Sequence, residues 1–208
     1  MENVTDRVRN PFDMRPPCES FVPGYGDANA DVHVIGDNPG VHGGAETGVP
    51  FTRTEAGERI QAVLAAVGLL ENPGDEPALA NAYLSYLHAC VPDGDPIESD
   101  YADLDRFFDA ELRAITAHVL VPVGERPVRP VLGQCTTYPL EDLDGDAVHA
   151  REISSGGWLV VPAKDPSTWT EEDQQALVDT LRGVLARDYA RESDLGRFLT
   201  GPDPYLVR

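Results

Sequence analysis

Asp37 stands just past a short buried-strand pattern, Val32, Val34 and Ile35, and heads a loop containing Pro39, Gly40, Gly43, Gly44, Gly48 and Pro50 that closes on Phe51. A carboxylate at such a place can hold or activate a water, and a ring among glycines can serve as a plate for a flat ligand. An apolar strand running into a Gly/Pro loop at its carboxyl end is where open α/β sheets keep their ligand chemistry. The loop is not G-x-G-x-x-G and holds no G-K-[ST], so neither a dinucleotide fingerprint nor a P-loop is supported. His42 lies inside it, and His88 ends the next strand pattern on the same sheet edge. Asp165 and Ser167 follow a later apolar run, whereas His33 sits within a strand and His118 and His149 have no supporting context. Blander readings stand beside these. Asp37 also reads as a turn residue bonded to its own backbone, Phe51 and Tyr86 as core, and Asp165 and Ser167 as caps.

The elements that must position these groups follow from periodicity. Strands are predicted over 31–36, 82–88, 118–123 and 158–162. The third is apolar throughout, as strands buried on both faces of a parallel sheet are. Between them, helices are predicted over 55–70, 100–116 and 124–133, with a last one over 171–189 that begins Thr170-Glu-Glu-Asp. Residues 1–30 read as an irregular wrap, 135–155 carries no assignable pattern, and the tail, with Phe198, Tyr205 and Leu206, is expected to dock. Alternating strands and helices of this length give an α/β sandwich with a mostly parallel sheet, most economically one domain over 1–208.

With 36 acidic and 16 basic residues the net charge is −20, and Lys164 is the only lysine. Such a surface suits a halophilic cytosol of multimolar salt, where the screening length is already about 3 Å at 1 M and a polyanionic ligand is not excluded. In dilute buffer the same charge repels phosphate, and an acidic enzyme of neutral or cationic small molecules is the alternative. No run of 18 apolar residues occurs and MENVTDRVRN has no secretory signal, so a cytoplasmic protein without a membrane span is expected. Cys18, Cys90 and Cys135 are odd in number and widely spaced, which is no disulfide framework.

The segments GDNPG and GVPFT, then SYLHACVPDGDP, HVLVPVGERPVRPVL and VVPAKDPST, resemble in order and spacing the motifs of the uracil-DNA glycosylase superfamily, nearest to its iron–sulfur (family 4) type. The resemblance spans roughly Pro17 to Thr168. It implies a three-layer α/β/α sandwich around a central, mostly parallel four-stranded sheet. It further implies hydrolysis of the N-glycosidic bond of a deaminated or damaged base in DNA, the step that opens base excision repair, by a monomer.

By that resemblance Asp37 matches the water-activating carboxylate and Phe51 the ring that stacks on the base. Asn38, Pro39, Gly40, His42, Tyr86 and Ser167 fall in base-binding segments, and Asp165 and His88 join Asp37 as catalytic candidates. Two departures matter. Tyr86 replaces an asparagine that reads the base edge, and Asp165 replaces the histidine that supports the leaving base; His88, His42 or Lys164 would have to supply the missing cation. A carboxylate facing a developing base anion raises the barrier unless protonated. Cys18 and Cys90 match two of four cluster ligands, while the others fall on Arg15 and near Leu104 or Asp105, so no 4Fe-4S cluster is expected. The cysteines are then expected as small core residues, or with a histidine as a zinc site. The losses keep two alternatives open: a catalytically impaired nucleic-acid or protein binding module, and a nucleoside or nucleotide hydrolase.

Overall fold

The computed structural model describes residues 3–196, apart from 142 and 156. Its centre is β2 (Val32–Gly36), every residue of which is buried. It pairs in parallel with β5 (Ala82–Tyr86) on one side and β6 (Val119–Pro122) on the other, and β6 pairs in parallel with β8 (Trp158–Val160). Two short antiparallel strands add edges to this four-stranded parallel core: β1 (Tyr25–Gly26) beside β5 and β7 (Ile153–Ser155) beside β8. The order is β1-β5-β2-β6-β8-β7.

Side chains alternate across this sheet. Val32, Val34, Leu84, Val119, Val121 and Leu159 join one cluster with Ile60, Val63 and Leu64 of α2 (Glu55–Ala66) and Leu177, Leu181 and Val184 of α6 (Glu171–Leu185). Ile35, Tyr83, Leu120 and Val160 face the opposite way. They meet Phe108, Leu112 and Ile115 of α3 (Glu98–Ile115) and Val128, Val131 and Leu132 of α4 (Glu125–Cys135). Three layers, α/β/α, result.

The helices start and stop for local reasons. Thr54 accepts the Gly57 N–H and Thr170 forms a reciprocal box with Asp173, each satisfying an orphan donor of the first turn. Helix α2 ends four residues before its predicted limit because Gly68, at φ 79°, reverses the chain and lets the Leu69 N–H bond the Leu64 carbonyl. The segment beyond pairs as a small hairpin, β3 (Leu70–Asn72) with β4 (Ala78–Leu79). Inside the unassigned 135–155 stretch lies one turn of helix, α5 (Gly145–Val148), and α7 (Tyr189–Gly196) follows α6. The tail residues expected to dock, Phe198, Tyr205 and Leu206, lie outside the described residues.

The N-terminal wrap is fastened to the end of β5. Val22 N–H bonds the Ala89 carbonyl and Val91 N–H the Ser20 carbonyl. The expectation of separate core thiols is corrected here: Cys18 and Cys90 form a disulfide across 72 residues, leaving Cys135 free and buried. Loop-closure entropy makes such a link worth about 4 kcal/mol. Replacing both cysteines with serine should therefore lower the denaturation midpoint markedly in non-reducing buffer and abolish its response to reductant. An unchanged midpoint would remove the link from the stability account.

Glu111 of α3 is a buried acid whose carboxylate accepts the Tyr83 hydroxyl at 2.6 Å. Burial lifts its pKa to about 7, against the pull of the Tyr83 and Ser85 hydroxyls. A raised carboxyl favours the fold below its unfolded value and ceases to do so as pH climbs through the folded one. The span is worth on the order of 3 kcal/mol. Glu111→Gln should thus match the parent at pH 4 and exceed it in urea stability at pH 8, a gain absent if the carboxyl is ionised without cost.

Candidate active site

The chain leaves β2 at Gly36, where any side chain would collide with rings: a Cβ there would stand 2.5 Å from Tyr86 Cε1 and 2.8 Å from Phe51 Cζ. Two residues on, Asn38 caps the single turn α1 (Pro39–His42), its Oδ1 accepting the Gly40 and Val41 N–H groups at 2.8 and 3.1 Å. Pro39 supplies the preset φ of a first helical position. This turn folds His42 back over the strand end, where its Nδ1 accepts the Asp37 backbone N–H at 2.9 Å.

Asp37 is therefore no self-bonded turn residue. Its Oδ1 accepts the Tyr101 hydroxyl at 2.5 Å, and Tyr101 in turn accepts from Asn38 Nδ2 at 3.1 Å. Arg126, at the start of α4, lays its guanidinium 4.3 Å over the Tyr101 ring, places Nε 3.9 Å from Asp37 Oδ2, and donates to Glu98 at 2.8 Å. Burial first, then the Asp37 carboxylate, drives the Tyr101 pKa far up, so the phenol stays protonated and donates.

These groups border a cavity of about 890 Å³ at the carboxyl ends of the parallel strands, whose wall includes Asp37, His42, Tyr101, Gly124, Arg126 and Asp165. Of the residues singled out from the sequence, three meet there: Asp37, His42 and Asp165. The rest are placed elsewhere. Asn38, Pro39 and Gly40 shape the turn without lining the cavity.

Phe51 is core, as its plainer reading had it, and lies one layer deeper than a base-stacking role implies. It is wholly buried, and His42 stacks on it at 5.5 Å and 27° while Tyr86 covers it at 5.4 Å. The plate is thus occupied by a side chain of this protein. Tyr86 serves the loop, its hydroxyl accepting the Phe51 N–H at 2.7 Å and donating to the Gly43 carbonyl at 2.9 Å.

His88 is behind Tyr101, its Nδ1 3.0 Å from the Cys90 carbonyl, and outside the cavity wall. Ser167 is exposed, and its N–H is held by Asp165 at 2.8 Å, so Asp165 both caps a turn and faces the cavity. Nor does Lys164 supply a cation there, because its ammonium lies 3.0 Å from both Asp146 and Asp173. His42, expected in an exposed loop, is buried, and burial takes its pKa down to about 4 although Asp37 and Asp165 pull the other way. It is a neutral ring.

Sequence reasoning missed Tyr101 and Arg126. The signal for Tyr101 was its place as one of two polar members, with Glu111, of the buried stripe Tyr101, Leu104, Phe108, Glu111, Leu112, Ile115. For Arg126, nothing short of the α3–α4 packing would have shown it.

The residues present do not fit a four-thiolate cluster. Cys18 and Cys90 are bonded to each other, Arg15 is exposed and paired with Asp13, Leu104 is core, and Cys135 lies in the cluster formed with α4. Among the described residues no group of three His, Cys, Asp or Glu side chains could hold a metal ion, which also removes the footing for a Cys18–Cys90 zinc site.

A three-layer fold with a carboxylate at a strand-end cavity defines the class, and residues 23–182 match the uracil DNA glycosylase superfamily, to which this chain belongs. It is similar to the type-5 uracil-DNA glycosylase of Pyrobaculum aerophilum, 28% identical over 175 residues that cover 80% of this chain and 74% of the relative. The type-5 enzyme of Thermus thermophilus is 35% identical over 99 residues, 44% of this chain and 43% of its own. That of Mycobacterium leprae is 26% identical over 124 residues, covering 57% and 54%. These relatives carry the type-5 name, whereas the motifs pointed to the family 4 type.

Tyr101→Phe would leave Asn38 Nδ2 and Asp37 Oδ1 without their shared partner. It should cost about 1–3 kcal/mol in urea denaturation, with no loss if water fills the gap.

Proposed function

We propose that this chain is a uracil-DNA glycosylase acting in base excision repair, hydrolysing the bond between deoxyribose and uracil or another deaminated base. The observation that carries this is Asp37: a carboxylate at the mouth of a strand-end cavity, with one oxygen engaged by Tyr101 and the other, Oδ2, turned toward Arg126 at 3.9 Å. Such a reaction passes through a cation-like sugar and an anionic base, and the base must first leave the duplex. In this reading Oδ2 takes a hydrogen bond from the attacking water while the carboxylate charge steadies the sugar cation. Tyr101 and Asn38 keep the group from rotating.

The reaction runs without a cluster, the four-thiolate set being incomplete. We further propose a cytoplasmic monomer working in concentrated salt. Among the described residues no helix is long and apolar enough to cross a membrane, and the net charge of −20 would repel DNA where it is unscreened. Release of free uracil from a uracil-containing oligonucleotide should therefore rise from 0.1 M to molar KCl, opposite to the usual loss of DNA affinity with salt. A monotonic fall would contradict it. Asp37→Asn should lower release on the order of 10²- to 10⁴-fold; unchanged release would remove Asp37 from the chemistry.

Asp165 favours a second reading, a binding module without turnover, because its carboxylate faces the cavity where a base anion would develop. Oligonucleotide binding with no base released at any salt concentration would select it.

A further inference from the structure

Resting on the reading just given, we infer that His42 is the group that reads the base: a neutral imidazole offering its Nε2–H to the carbonyl oxygen that deamination puts in place of an amino group. The tautomer follows from geometry. Nδ1 accepts the Asp37 N–H at 2.9 Å, so the neutral ring carries its proton on Nε2. That nitrogen is buried, and among the described residues it has no hydrogen-bond partner. An orphaned buried donor is costly, and in native structures calls for an explanation.

The direction of the orphan is set by its neighbour. Gly124 shares the cavity wall with His42, and a Cβ built on it would stand 3.6 Å from His42 Cε1 and 3.8 Å from Nε2. With glycine at 124, no side chain crowds the Nε2 edge of the ring on this wall. The ring cannot turn away, because Phe51 stacks beneath it and the Asp37 N–H grips the other nitrogen.

Charge gives the donor its importance. Asp37 and Asp165, the two carboxylates nearest His42, accept hydrogen bonds and would by themselves welcome the amino group of cytosine or adenine. Of the other donors near Asp37, the Tyr101 hydroxyl is given to Asp37 itself, and Arg126 is already engaged by Glu98 and by the Tyr101 ring. An N–H beside two carboxylates reverses the preference: it pairs with the oxygen of uracil or hypoxanthine and meets an N–H of the amino bases head-on. The same bond strengthens as the leaving base gathers negative charge, which offsets the poor placement of Asp165. A site built around one buried donor discriminates strongly, since a ligand without the acceptor leaves that donor unpaired.

Two substitutions separate this role from a structural one. His42→Asn keeps an acceptor near the Nδ1 position and deletes the Nε2 donor; His42→Gln keeps a donor near Nε2 and deletes the acceptor for Asp37. We expect free uracil, but not cytosine, to inhibit the parent protein's binding of a uracil oligonucleotide. His42→Asn should weaken that inhibition 10- to 100-fold, while His42→Gln stays within several-fold of the parent. The reverse order, or equal inhibition by all three, would overturn the inference and leave the glycosylase reading standing if uracil is still released.

Uracil inhibition that depends on the Nε2 donor without any base release would support the inference and sink the enzymatic reading. Absence of both would overturn the two together. Should the variants not fold, nitrogen-15 histidine NMR of the parent decides: the His42 Nε2–H resonance should shift on adding uracil and not cytosine, and no shift with uracil overturns the assignment.

Discussion

Everything at this site depends on residue 36 having no side chain. Tyr86 and Phe51 close over the end of β2 because nothing projects from Gly36, and a Cβ there would stand 2.8 Å or less from both rings. Once the rings are in place, Phe51 supports His42, and His42 takes the Asp37 N–H. The orientation of the carboxylate, the tautomer of the imidazole and the open side of the cavity all follow from that one close approach. Phe51 itself is held at φ 60°, an unusual backbone state for a bulky residue. Its carbonyl is fixed by Gln61 Nε2 at 2.8 Å and its N–H by the Tyr86 hydroxyl, so the loop is over-determined rather than free. Strain held in this way is characteristic of functional loops.

The second support comes from the other side of the sheet. Tyr101 and Arg126 reach Asp37 from α3 and α4, which pack on the face opposite α2 and α6. The carboxylate is thus clamped between a loop belonging to one layer and helices belonging to another. The guanidinium groups of Arg126 and Arg129 balance part of a wall that also carries Asp37, Glu98, Asp105, Glu125 and Asp165. A chain with net charge −20 thus keeps two of its 16 basic side chains at this cavity.

The four parallel strands were legible because strands buried on both faces are largely apolar, as Val119 to Pro122 and, apart from His33, Val32 to Ile35 show. The long helices were legible from their stripes. The edges were not, since β1 has two residues and β7 three, too few to display a period. Asp37, His42 and Asp165 were found from their positions at strand ends, a property of order along the chain. Phe51 read from sequence as either core or plate, and the choice depends on which ring reaches it first; here His42 does. Tyr101 and Arg126 were hidden because they arrive from a different layer. The Cys18–Cys90 link joins residues 72 apart and is set by how the wrap crosses the end of β5, which three scattered cysteines do not reveal.

If His42 reads the base as inferred, an extruded base sits between the Asp37 carboxylate and the imidazole. A crystal structure of the Asp37→Asn variant bound to uracil-containing DNA tests this most directly. The account requires the uracil inside the strand-end cavity, with a carbonyl oxygen within hydrogen-bond distance of His42 Nε2 and Phe51 still covered. A base lying flat on Phe51 with His42 swung aside, or seated away from Asp37 between α3 and α4, would contradict it.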